Sequence, residues 1–202
     1  MSTTAEQYLD KSLQYYTRVI YHDKEAASTV NQLAHYAGGT NPAAAIYALN
    51  QAGDMIDWDI TEHEAEALTD IMTIWARHQQ ARPHGKSAYA HLGIPTFPYA
   101  LGVIAALEPK ASTPSMLTIA WKNLRRAALR GDRAEILRWM VECIKRMGRN
   151  AVDYRQLYTD YMTLLHGSRE QRGSVLFTWG AHYAQGLETG YQIREVDEAE
   201  EI

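Results

Sequence analysis

The sequence predicts an all-α protein, with an N-terminal helical lobe followed by a C-terminal antiparallel four-helix bundle. Three observations carry that expectation. Apolar residues recur at helical spacing through four successive segments between Thr113 and Gly186. Each segment is bounded by capping residues and glycines. The links between segments are short, which favours antiparallel neighbours.

The first of these segments opens at Thr113-Pro114, a Thr cap with Pro at the first helical position, and closes at Gly131. Its apolar face is Leu117, Trp121, Leu124 and Ala128. Asp132 caps the second, with Glu135 three residues on as in a capping box, and Gly148 ends it. Ile136, Leu137, Met140, Val141, Ile144 and Met147 form its stripe. Asp153 caps the third, which carries Leu157, Tyr161, Leu164 and Leu165 and ends at Gly167. Ser168 caps the fourth, with Val175, Leu176, Trp179 and Tyr183, and this helix is expected to end near Gly186. Residues 112–186 therefore make the bundle. Residues 187–202 read as an acidic, mobile tail.

The N-terminal lobe, residues 1–111, is read more coarsely. Residues 1–22 predict a helix through Tyr8, Leu9, Leu13, Tyr16 and Ile20. Gly38-Gly39 breaks the chain, and Asn41-Pro42 restarts a helix whose small apolar run, Ala43–Leu49, is expected to be buried. The segment 53–113 is the least readable. Leu68, Ile71, Met72 and Trp75 give it a core-facing stripe. A short helix is expected around Tyr99–Leu107, between loops rich in proline.

Composition narrows the function classes. Hydrophobic residues make up 46% of the 202, enough for a real core. No apolar run reaches the roughly 18 residues a spanning helix needs. Charged residues such as Glu6, Asp10 and Lys11 argue against a cleavable signal, so a cytoplasmic protein without a membrane partner is expected. The single cysteine, Cys143, lies on an apolar stripe and reads as a small buried hydrophobe.

No catalytic constellation emerges. Gly85-Lys86-Ser87 resembles the end of a phosphate loop, but Gln80 stands where its first glycine is required. Asp54, Asp57, Asp59, Glu62, Glu64, Glu66 and Asp70 crowd around His63, and Asp59 with His63 is the one i, i+4 candidate for a metal. The Glu-x-x-His signature of di-iron helices is missing, and an acidic helix start explains the cluster more simply. The expectation is a protein that is not an enzyme, with no catalytic residues, no metal and no cofactor.

Charge is segregated along the chain. Residues 1–106 carry a net −5, residues 107–172 a net +6 and residues 173–202 a net −5. Lys122, Arg126, Arg130 and Arg133 follow one drifting helical face opposite the apolar stripe, with Arg125 beside them. Arg138, Lys145 and Arg149 continue the pattern on the next helix, with Arg146 adjacent and Glu142 interrupting. Arginine outnumbers lysine, which suits bidentate contact with phosphate. These nine residues are the candidate nucleic-acid contacts, made to backbone without sequence readout. The bland alternative is a solvated face, and a second is a helical adaptor that docks an acidic protein there.

Three stretches then resemble a known family. Ala127–Ile136 (AALRGDRAEI), Ile144–Tyr158 with its Val152-Asp153-Tyr154-Arg155-Gln156-Leu157-Tyr158, and Val175–Tyr183 with Trp179 and Tyr183 resemble the CasB family. Ala44–Leu49 resembles that family's buried N-terminal segment. These proteins are the small subunits of the type I-E CRISPR surveillance complex, Cascade. The resemblance implies a non-catalytic subunit that supports the duplex of guide RNA and target DNA and holds the displaced single strand. Its partners would be guide RNA, single-stranded and target DNA, the other Cascade subunits and a second copy of itself. Where the family carries an Arg-aromatic pair, this chain reads Trp121-Lys122-Asn123-Leu124-Arg125-Arg126, and residues 53–110 are longer than that family's norm, which implies an inserted element there.

Overall fold

The computed structural model describes residues 4–20, 22–36, 60–80, 95–108, 115–148 and 151–200. The expected restart at Asn41-Pro42, the run Ala43–Leu49, the carboxylates of Asp54, Asp57 and Asp59, and Arg149 lie outside the described residues. Among the described residues there are eight α-helices and no strand. We number them α1 (Ala5–Val19), α2 (Lys24–Tyr36), α3 (Glu62–Gln79), α4 (Phe97–Leu107), α5 (Met116–Arg130), α6 (Arg133–Met147), α7 (Tyr154–His166) and α8 (Arg169–Glu200). The chain divides into two compact units, Met1–Gln80 and Ala81–Ile202.

In the first unit α3 is the central element. Every residue from Ala67 to Ala76 is buried, including the predicted stripe Leu68, Ile71, Met72 and Trp75. A helix covered on all sides belongs in the middle of its neighbours, and both α1 and α2 pack on it. Tyr16 of α1 lies 6.1 Å from the Trp75 ring, and Gln80 donates to Asn31 of α2 at 2.7 Å. The acidic start of α3 is in part capping chemistry. Thr61 accepts from the Glu64 N–H, and the Glu64 carboxylate accepts from the Thr61 N–H at 2.8 Å.

The second unit holds α4 to α8. Ser115, not Thr113, caps α5: its hydroxyl accepts from the Thr118 N–H, so the helix opens at Met116. Gly131 sits in the left-handed region at φ 69°, with its own N–H on Ala128 and that of Asp132 on Ala127. That is the Schellman end of α5. Asp132 then caps α6 by accepting from the Glu135 N–H. The two helices fold back on each other as a hairpin. The Glu135 carboxylate does not complete a capping box; it accepts from Arg138 and from the Trp139 indole instead. Asp153 caps α7, and Ser168 with Gln171 forms a reciprocal box at the start of α8.

The largest departure from expectation is α8. It runs 32 residues, through Gly186 and on to Glu200. Glycine near a helical stretch usually marks its end, but here it serves packing. The C-terminal part of α8 lies along α4, which sequence placed in the N-terminal lobe. Thr96 meets His182, Tyr99 meets Thr189 and Glu108 meets Arg194, so the two helices run parallel. A Cβ on Gly186 would overlap the Tyr99 carbonyl, and one on Gly102 the Tyr183 carbonyl. Only glycine permits backbones this close.

Cys143 is fully buried on α6, and burial pushes its thiol well above the usual range. No helix among the described residues is long and apolar enough to cross a membrane.

Candidate nucleic-acid interface

Helix α5 contains no Asp or Glu, yet carries Lys122, Arg125, Arg126 and Arg130, all exposed. The first, third and fourth stand one above another at four-residue steps, about 6 Å apart along the axis. The opposite face, Leu117, Ala120, Trp121, Leu124, Ala127 and Ala128, is buried. Burial of that face fixes where the cations point.

Trp121 anchors the helix. It stacks on Tyr183 of α8 at 4.9 Å and on Trp179 at 6.0 Å, and only 5% of it is exposed. It is therefore a core residue. The Arg125 guanidinium rides 5.8 Å above its ring, a cation–π arrangement that holds the charge at the helix surface.

Between α5 and α8 runs a groove of about 700 Å³. Lys122, Arg125, Arg126 and Leu129 form one wall, and Leu176 and Phe177 the other. Gly173 opens it: a Cβ there would meet nothing within 4 Å. The Arg125 guanidinium reaches toward Gly180, its Nη2 lying at ordinary contact distance, 3.9 Å, from where a Cβ would be. Among the described residues that line the groove, none is acidic. Burial raises the Tyr183 hydroxyl to about 12, so it stays a neutral phenol at physiological pH. Phe177 projects into this setting 82% exposed.

The basic residues of α6 sit differently. Arg138 pairs with Glu135 at 3.2 Å and covers the Trp139 ring at 4.9 Å. Lys145 and Arg146 share Glu142, at 2.9 and 3.6 Å. The hydrogen bond from Lys145 is the largest influence holding the Glu142 carboxyl below its usual value. Arg133, half-buried at the start of α6, has an interaction within the fold. None of these four lines the groove. The nine predicted contacts thus separate into four cations on α5 with no carboxylate on their helix, four on α6 that are engaged locally, and Arg149.

Sequence reasoning missed Phe177, Leu129 and Arg172. Phe177 falls off the α8 stripe, and an aromatic at a solvent-facing position between Gly173 and Gly180 was the available signal. Arg172, half-buried, comes to the α5–α6 turn only through folding: its Nη1 would lie 2.7 Å from a Cβ on Gly131.

Among the described residues no group of three or more His, Cys, Asp or Glu is arranged to hold a metal ion. Compared with protein-family models, curated proteins and solved structures, the chain matches none.

Proposed function

We propose that this protein binds nucleic-acid backbone through the α5 face, as a non-catalytic small subunit of an RNA-guided surveillance complex of the type I-E Cascade kind. In this reading residues 112–186 form an antiparallel four-helix bundle that follows an N-terminal helical lobe in sequence, with α4 packed along the extended last helix. The subunit lies with a second copy of itself among the other Cascade subunits, along the guide RNA and target DNA. It holds the displaced strand so that it does not re-anneal.

The observation that carries the reading is the acid-free α5 face. Three cations at successive turns, with a fourth beside them, meet a phosphate chain of any sequence. The step between them is comparable to that between phosphates of an extended single strand. Base pairing reads the target in such complexes, and the protein is left to hold backbone.

The test is a salt titration of binding to two unrelated single strands. Each phosphate contact contributes about −0.7 to the log–log slope on single strands, so four give a slope of about −3. Binding that is equal for both sequences and falls with that slope supports the proposal. No binding at low salt would point to the other reading, an adaptor that docks an acidic protein on the same face. For the complex itself, reconstitution with and without the chain should change retention of the displaced strand.

A further inference from the structure

We propose that the groove between α5 and α8 seats an unpaired base of single-stranded DNA on the ring of Phe177, with Lys122, Arg125 and Arg126 holding the flanking phosphates. The inference rests on the nucleic-acid role proposed above and adds a base-stacking platform to it.

A phenylalanine with 82% of its surface in water is out of place in a helix that buries Leu176 and Trp179 on either side. Its ring sits across a groove from three cations, and no carboxylate among the described residues lines the space between them. Aromatic faces beside a basic track are how proteins hold single strands without regard to sequence, since every base offers a π-face. The groove also has space on the α8 side, because Gly173 leaves its wall open. An acidic amphipathic helix would be a different occupant. It needs a continuous apolar trough for several side chains, whereas the exposed apolar surface here is Phe177 with Leu129 at half exposure opposite.

The choice of DNA follows from the role proposed above, holding a displaced DNA strand; the lining itself carries N–H donors on Lys122, Arg125 and Arg126 that a 2′-hydroxyl could also meet.

The experiment uses the full chain and a mixed-sequence DNA 12-mer with one central 2-aminopurine, beside an RNA 12-mer of the same sequence. Wild type should quench the probe on binding. Phe177→Ala should lose the quenching and bind about five- to a hundred-fold more weakly, with an unchanged salt slope. Phe177→Trp should restore both. Gly173→Leu, which fills the open wall, should also abolish quenching, and circular dichroism of each variant reports the fold. Wild-type binding with the expected slope, but no quenching and no effect of Phe177→Ala, would overturn the stacking site while leaving the backbone role standing. Tighter binding and stronger quenching with RNA would overturn the DNA assignment. Failure to bind either strand, with capture of an acidic amphipathic peptide, would overturn both proposals.

Discussion

Trp179 donates its indole N–H to Asp160 Oδ2 at 2.6 Å, joining α8 to α7 beneath the stacked rings of Trp121 and Tyr183. Gln156 donates to the other oxygen at 2.9 Å. Burial nonetheless holds the Asp160 carboxyl above its usual pKa, against the lowering by those two bonds and by His182. The folded state therefore binds this proton more tightly than the unfolded chain. As pH rises past the ordinary Asp value of about 3.9, the unfolded chain loses its proton first and stability falls, until the raised folded pKa is passed. Asp160→Asn keeps an acceptor for Trp179 and removes this dependence. It should be at least as stable as wild type at pH 7, with the difference vanishing in acid. Asp160→Ala strands a buried N–H and should cost about 1–3 kcal/mol. Urea melts of all three proteins between pH 4 and 7 check this.

Two glycines of α8 should respond with opposite sign to the same substitution. A Cβ at Gly173 meets nothing, so Gly173→Ala should gain up to about 1 kcal/mol from helix propensity. A Cβ at Gly186 collides with the Tyr99 backbone, and α4 must move away. Gly186→Ala should lose about 1–3 kcal/mol despite the better propensity. Thermal melts of the two variants would separate a packing role from a loop role for Gly186; equal gains would remove the close approach of α4 and α8.

The thiol of Cys143 should be silent in the native state. It is fully buried and held protonated by its surroundings, and only the thiolate reacts readily. Labelling with a thiol reagent should be slow in buffer and complete in denaturant. Because the side chain belongs to the α6 core, the labelling rate reports opening of the second unit. Rapid native labelling would mean that α6 leaves its neighbours easily.

The two sets of basic residues should differ in what they contribute to binding. Changing Lys122, Arg126 and Arg130 together to Ala should make the salt slope on single strands shallower by about 2 units. Changing Arg138, Lys145 and Arg146 together should alter it by less than half as much, since Glu135 and Glu142 already compensate them. Equal effects of the two triples would mean that local pairing does not decide which cations meet phosphate.

Local chemistry was the legible part of this fold. Gly131, Asp132, Gly148, Asp153, Gly167 and Ser168 bound the helices as their side chains or their lack of one require. The α6 stripe is buried throughout, because one helix carries a complete pattern. The pairing of α4 with α8 was not legible. It depends on Gly102, Gly186 and Gly190, and absent side chains leave no hydrophobic period to detect. The expected stop at Gly186 failed for the same reason. The groove likewise owes its shape to a gap at Gly173 and one outward ring, Phe177. The basic face could be read as a count of charges. The carboxylates within reach of the α6 cations were legible too, because Glu135 and Glu142 stand three or four residues from Arg138, Lys145 and Arg146 on one helix.

Lys122, Arg126 and Arg130 also repel one another. Like charges four residues apart oppose helix formation by about 0.2–0.5 kcal/mol per pair, and α5 has no carboxylate to offset them. The helix is held instead by its buried face and its two caps. Anything anionic that settles on this surface relieves the strain between neighbours. Helix α5 thus stores a small electrostatic tension that a polyanion against it would relieve. Thermal stability of the second unit should therefore climb with sulfate or an added polyanion, and be lowest in dilute buffer, where the repulsion is least screened.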